Sequence, residues 1–358
     1  MEAPIRYSLL GMQVSPLHYR RWQVFRSSRR GFLSLLLFMS LLFVTLAADF
    51  VANDKPIIMQ HEGQFYFPIF QTYTEAQLGG DFETEAEYRD PYVQQLIAES
   101  GGWMLWPPIR YSYQTINYDV AVPTPAPPSG ENWLGTDDQG RDVLARLIYG
   151  LRLSMLFALC MTVGVLFIGI ATGAVQGYFG GWTDILMQRF IEIWSGLPIL
   201  YLLIILSSIF APGFLVLLFL LLVFSWMGLS DIVRAEFLKV RSYDYVKAAR
   251  ALGVGNLAIM ARHVLPNAMV ATLTFLPFIF TGAITSLTAL DYLGLGMPPG
   301  QPSLGELLVQ GKSNLQAPWL GLTAFVTLSV VLTLVVFIGE AVRDAFDPRT
   351  TVEGDRHG

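Results

Sequence analysis

The chain has 358 residues, of which 53% are hydrophobic and 14% charged, and its formal net charge is −5. So little charge cannot cover the surface of a water-soluble domain of this length, and the fold class it points to is an all-α integral membrane protein. A single cysteine, Cys160, excludes an intrachain disulfide and a thiolate metal site, and four scattered histidines (His18, His61, His263 and His357) argue against a zinc cluster, so no metal is expected.

In chain order, residues 1–31 form a basic N-terminus with Arg6, Arg20, Arg21, Arg26, Arg29 and Arg30 against one acid, Glu2. A first apolar span covers 32–52. A secretory signal is the alternative reading, but the run starts late and no clear small-x-small cleavage site follows it, so an uncleaved anchor is expected. Five more stretches suit a crossing of roughly 30 Å of hydrocarbon: 152–175, 186–210, 213–233, 267–290 and 319–340. In lipid the backbone must satisfy its own hydrogen bonds, so all six are predicted to be helices. Gly196 and Pro198 predict a kink in the third, and Ala211-Pro212-Gly213 a tight turn after it.

Between the fourth and fifth spans lie Arg234, Lys239, Arg241, Lys247, Arg250 and Arg262. With six spans this basic connection falls on the same side as the basic N-terminus, and positive residues stay inside. Both termini are therefore expected in the cytoplasm, the tail being 341–358. The acid-rich insertion 53–150 is expected outside. In it, Gln64-Phe65-Tyr66-Phe67 reads as a short strand, Glu75 to Gly101 as one or two short helices, and Pro123 to Pro128 as a stiff linker. A cap over the helix ends and a docking surface for a soluble partner are both open for this insertion, and neither excludes the other.

The most specific stretch is Tyr245-Val246-Lys247-Ala248-Ala249-Arg250-Ala251-Leu252-Gly253, followed nine residues on by His263-Val264-Leu265-Pro266-Asn267. The two alanines let a short helix approach another surface closely, Gly253 can end it in the left-handed region, and Pro266 stiffens the start of the fifth span. An ordinary basic loop is the plain alternative. The spacing resembles the signature of binding-protein-dependent ABC permeases, with Lys247 where the general pattern has Glu and His263 where it has an apolar residue. The resemblance implies the six-helix type I ABC importer (MetI-like) permease fold, with a five-helix core over 151–340. It also implies that the loop 234–266 couples to an ATPase through Tyr245, Lys247, Ala248, Ala249, Gly253, His263, Leu265 and Pro266.

Trp133-Leu134-Gly135-Thr136-Asp137, Gly140-Arg141-Asp142, Gly177 to Asp184 and Gly339 to Arg349 resemble segments of dipeptide and oligopeptide permeases. The basic N-terminus and first span are similar to the C-type subunit of that branch. The segments around Ala52 to Pro56 and Trp103 to Arg110 resemble Yej-type permeases. The implied cargo is peptides, including microcin C-like conjugates. The implied partners are a second permease subunit in a heterodimer, cytoplasmic ATPase subunits that bind the ATP, a periplasmic binding protein and the lipid of a bacterial inner membrane, with no nucleic acid and no cofactor or catalytic site on this chain.

Gly305 to Ser313 imitates a phosphate-binding loop, but it has five residues between its glycines and no preceding strand. Arg189 and Glu192, three apart in the third span, can face each other on a helix and are expected as a structural pair between helices near the interface rather than as a direct substrate contact. Ser195, Ser207, Ser208, Thr281, Thr285, Ser286 and Thr288 suit helix packing more than a polar path. An ion-coupled transporter or channel would want acids or histidines at mid-membrane and often an internal repeat, and an intramembrane hydrolase a catalytic pair; the sequence presents none of these.

Overall fold

The computed structural model describes residues 8–9, 12–13, 16–211 and 213–346. The chain divides into two compact units: Met1–Met39, Phe157–Ser286 and Val330–Gly358 in one, and Ser40–Leu156 with Leu287–Ser329 in the other. Arg6, Glu2, Pro212, His357 and the Asp347-Pro348-Arg349 end of the C-terminal motif lie outside the described residues.

The elements begin with a two-stranded pair, β1 (Ser8–Leu9) and β2 (Met12–Gln13), and the helices α1 (Pro16–Ser27), α2 (Arg29–Leu46) and α3 (Ala48–Val51). The insertion contributes β3 (Ile58–His61), β4 (Gln64–Tyr66), a 3-10 turn at Ala76–Leu78, α4 (Pro91–Glu99) and β5 (Trp103–Leu105). The long helical series follows: α5 (Val143–Phe179), α6 (Gly181–Ser195), α7 (Ile199–Ile209), α8 (Phe214–Ser225) and α9 (Met227–Val240). Then come α10 (Asp244–Ala251), α11 (Asn256–Ile259), a π-turn at Met260–Val264, α12 (Leu265–Tyr292), α13 (Leu304–Ser313) and α14 (Pro318–Phe346).

Among the described residues, five helical runs are long and apolar enough to cross a bilayer, and six if the bent pair α6–α7 counts as one. The third expected span is thus broken rather than kinked: α6 and α7 meet at 73° across Gly196-Leu197-Pro198. Pro198 has no N–H to continue the ladder and forbids its predecessor the helical region. Most other boundaries move outward, though the first span ends at Leu46, short of 52. The second span begins at Val143, the fourth runs to Val240 and the fifth starts at Asn256. Hydropathy marks only the apolar part of a helix; arginines and lysines beyond it do not stop the backbone from coiling. The insertion accordingly ends at Asp142 rather than 150.

In the first unit α5 packs on α9 along a seam of small residues. Gly169, Gly173 and Gly177 recur every four residues, so they share one face of α5. A Cβ on Gly173 would stand 2.5 Å from the Ser230 carbonyl oxygen, and one on Gly177 2.5 Å from Phe237 Cβ. In lipid, where no hydrophobic force drives helices together, such close backbone approach is what holds a pair. Beside the seam Thr172 Oγ1 donates to Ser230 Oγ at 2.9 Å and Gln176 Nε2 donates to it at 3.1 Å.

In the second unit the insertion builds an antiparallel sheet in the order β4-β3-β5, with Met59 opposite Tyr66 and Met104. Met59, Leu78, Tyr88, Val93 and Ile97 form its core. The helix α4 starts where Asp90 accepts the Tyr92 N–H at 2.8 Å with Pro91 at the first helical position. The strand over 64–67 and the short helices over 75–101 match the expectation. The stretch 123–128 is not a free linker. Ala126 is buried and pinned, its N–H donating to Thr136 Oγ1 at 2.8 Å and its carbonyl accepting from Thr136 N at 2.9 Å.

Candidate functional site

The helix α10 is amphipathic on a small scale. Val246 and Ala249, three residues apart, face inward and are buried, while Lys247 and Ala248 face outward. The helix ends as its sequence demands. Gly253 has φ = 80°, and the Gly253 and Val254 N–H groups donate to the carbonyls of Arg250 and Ala249 at 3.0 and 3.1 Å. These are the two reversed bonds of a Schellman cap, which a residue without Cβ makes at least cost. The two alanines therefore differ: Ala248 is exposed, and Ala249 seats the helix on its own chain. Their shared outward role expected from the sequence is corrected by the register with Val246.

The segment is anchored on three sides. Tyr245 Oη accepts from Asn267 Nδ2 at 2.9 Å, and Asn267 Nδ2 also donates to the His263 carbonyl at 3.2 Å. Partial burial, then neighbouring Tyr243, pushes the Tyr245 hydroxyl above its usual pKa, so it stays protonated in this role. Arg250 lies over the Tyr178 ring at 5.2 Å, and Tyr178 Oη donates to Asn256 Oδ1 at 2.8 Å. Arg241 Nη1 donates to the Tyr178 carbonyl at 3.2 Å, closing the Gly177–Asp184 turn onto the basic connection. Below it Asp184 receives both Arg234 Nε and Nη2 in a forked pair. Tyr178, Asn256, Asn267 and the Asp184–Arg234 pair were not singled out as site residues; Tyr178 and Asp184 stand in the Gly177–Asp184 resemblance, Asn267 ends the quoted signature and Arg234 counts among the basic residues of the connection.

Between Val240 and Asn256 the chain leaves the helical state only around 241–243 and 252–255. The loop 234–266 is thus mostly helix. Pro266 is not the start of the span, which begins at Asn256, but the second residue after a π-turn. With no N–H it cannot bond the Arg262 carbonyl, and the widened turn in which Leu265 N reaches the Met260 carbonyl accommodates its ring. Leu252 and Leu257 are 84% and 80% exposed, and Ala248 and Lys247 are exposed too. Lys247 is held by Asp244 at 3.2 Å.

Arg189 and Glu192 do pair, but along one helix, and both are exposed in this chain. They tie α6 to itself rather than to a neighbour. The phosphate-loop mimic is α13, with Ser303 Oγ accepting the Gly305 and Glu306 N–H groups at 3.1 and 3.3 Å. Its backbone donors are spent in the helix.

The Thr136–Asp142 segment is a buried polar knot. Asp137 and Arg146 are fully buried, and Arg141 nearly so. Arg141 Nε donates to Asp137 Oδ2 at 2.7 Å, Arg146 Nη2 to Glu306 Oε2 at 2.5 Å, and Arg141 Nη2 to Glu306 Oε1 at 3.2 Å. Asp142 caps α5 by accepting the Ala145 N–H at 2.7 Å, and Asn132 Nδ2 donates to its other oxygen at 2.8 Å. Burial pushes its carboxyl above the usual range, against the pull of those bonds. Arg146 and Glu306, 160 positions apart, gave no sequence signal.

Apolar helices of membrane-spanning length, one of them broken, with a capped helix on a basic connection, define a polytopic transport subunit of the membrane. Residues 145–352 match the family described as the binding-protein-dependent transport system inner membrane component, and the chain belongs to that family. It is 55% identical to the peptidoglycan transport system permease protein YejE of Agrobacterium fabrum over 94% of each chain. It is 53% identical to the inner membrane ABC transporter permease protein YejE of Escherichia coli, covering 95% of this chain and 99% of that one. The oligopeptide transport system permease protein OppC of Haemophilus influenzae is 33% identical over 68% of this chain and 77% of its own. The chain is thus an ABC-importer permease subunit of the inner membrane, in the peptide branch and of the Yej type.

Proposed function

We propose that this chain forms half of a translocation pathway for peptides, beside a second permease subunit, and is driven by separate ATPase subunits seated on α10 and the residues after it. A soluble binding protein delivers the cargo, both termini lie in the cytoplasm, and the chain holds no ATP site of its own. The peptide cargo is supported by the names that its relatives carry. The orientation is supported by the arginines and lysines of the N-terminus and of 234–262.

The observation that carries the coupling role is the two-sided build of α10. Its inner face, Val246 and Ala249, is fixed to its own chain, while Ala248 and Leu252 stand bare outside any span and Leu257 stands bare in the first turn of the run Asn256–Tyr292. Apolar side chains held rigidly in such a patch fit the core of a protein contact. The test is peptide uptake and ATPase co-purification for the assembled transporter in proteoliposomes. Ala248→Glu and Leu257→Asp leave the level of both permeases in the membrane unchanged, and uptake falls by about tenfold or more, as for a central contact residue. Normal uptake with the ATPase attached in both variants removes the coupling role. Ala249→Glu is the wrong probe, because it would unseat α10 from its own chain.

A further inference from the structure

Between Pro16 and Ala48 the chain carries Arg20, Arg21, Arg26, Arg29 and Arg30, and no aspartate or glutamate. The first two are engaged: the Arg21 guanidinium lies 4.2 Å over the Phe346 ring, and Arg20 is not free either. Arg26, Arg29 and Arg30 are exposed, and among the described residues no hydrogen bond, ion pair or ring contact engages their guanidinium groups. Glu340 of α14, also exposed, pairs with none of them. Like charges this close repel one another, and a counter-charge from outside the chain removes that cost.

Their place on the first span decides what can reach them. On α2, Gly31 faces α14: a Cβ there would lie 2.1 Å from Ala341 Cβ. By helix register Arg29 points away from that contact, and Leu33, Leu36 and Leu37 follow it on the same side, each more than half exposed. These leucines form the apolar stripe that α2 offers to lipid tails. Arg29 stands one turn before them, about 6 Å along the axis, the step from acyl chain to headgroup. A second observation fixes the other side of the patch. Trp22 stacks on Phe25 at 5.8 Å and meets Phe32 of α2 edge-on at 6.4 Å, so α1 is held against the first turn of α2. Tryptophan favours this same boundary between tails and water.

We propose that Arg26, Arg29 and Arg30 form a binding surface for an anionic phospholipid, with their guanidinium forks on its phosphate and its acyl chains along Leu33, Leu36 and Leu37. The surface holds for either orientation of the chain and for any cargo, so it stands or falls apart from the transport reading above. The test is binding of dioctanoyl-phosphatidylglycerol and dioctanoyl-phosphatidylcholine to the full chain in neutral detergent, read by thermophoresis, with glycerol 1-phosphate as a soluble competitor. Wild type binds the anionic lipid about tenfold tighter or more, and high salt narrows the difference. Arg29→Gln, which leaves Arg20, Arg21, Arg26 and Arg30 in place, weakens phosphatidylglycerol binding by about fivefold, the share of one basic group near an anionic surface. Arg26→Gln/Arg29→Gln/Arg30→Gln abolishes the preference, and neither variant changes phosphatidylcholine binding. If the triple variant does not insert, wild type and Arg29→Gln still decide. Equal binding of the two lipids by wild type, unchanged phosphatidylglycerol binding by Arg29→Gln, or displacement of the lipid by an equal concentration of glycerol 1-phosphate overturns the proposal. An unchanged preference in the triple variant does so too, and loss of the ATPase subunits from that variant would then make the patch a protein contact instead.

Discussion

Arg146 is the side chain on which the Thr136–Asp142 knot depends most. It is wholly buried and reaches Glu306 by Nη2 at 2.5 Å, the Tyr113 carbonyl by Nη1 at 3.0 Å and Asp137 by Nε at 3.4 Å. A buried ion pair adds little net stability when intact, because desolvation offsets attraction, but removal of one partner strands the other. Arg146→Met is expected to destabilise the chain by about 3–5 kcal/mol, measured by unfolding in mixed micelles. Arg146→Met with Glu306→Leu recovers much of that loss, since Asp137 keeps Arg141. A double variant as unstable as the single would rule out the stranded-charge account. The knot also marks what one residue can disclose. Asp137 and Arg141, four apart, were quoted from the sequence as part of a family resemblance; Arg146 and Glu306 meet only through the fold. Gly253 was readable because few residues other than glycine hold φ = 80° cheaply. Ala248 and Ala249 look alike in isolation, and only the spacing from Val246 tells which of them turns inward.

Helices carry the same lesson at larger size. The apolar windows located every span, yet α5, α9 and the helix that begins at Asn256 all run past those windows. Charged residues at a helix end favour the interface without ending the hydrogen-bond ladder. The seam of Gly169, Gly173 and Gly177 was not read from the sequence, nor was its partner, the Leu229–Phe237 face of α9, since nothing local names the helix that fills it. Gly173→Leu is the direct check. Its side chain has no room against the Ser230 carbonyl and Val233 Cβ, so α5 and α9 must part and lose the Thr172 and Gln176 bonds to Ser230. Overpacking of this kind costs about 1–3 kcal/mol, read as a lower midpoint of thermal aggregation in detergent. A midpoint equal to wild type would mean that the seam is loose.

Across the whole chain the count of crossings turns on one break. If α6 and α7 together cross once, the crossings number six and the two ends share a side; if the pair dips in and returns, the number is five and the ends are opposed. Reporter enzymes active only outside the cytoplasm are expected to work when fused after Asp81, and to be silent after Val246 and after Phe346. Activity at Val246 and at Phe346, with Asp81 still active, would make the pair re-entrant; silence at Asp81 with activity at Val246 and Phe346 would reverse the orientation. The fold class, one strand of the insertion's small sheet and the capped helix α10 were legible, because each rests on local pattern. The polar knot and the depth of the helices were not, because each rests on distant residues. One of those depths has a mechanical meaning. Only the four residues Leu252–Gly255 separate α10 from a helical run that extends from Asn256 to Tyr292, about 55 Å at 1.5 Å per residue. Flexible chain dissipates displacement as entropy, whereas a helix this long behaves as a lever with compliant joints at the widened turn Met260–Val264 and at Pro277. A push on α10 therefore arrives in the spans as rotation of a rod, with little slack to take up first.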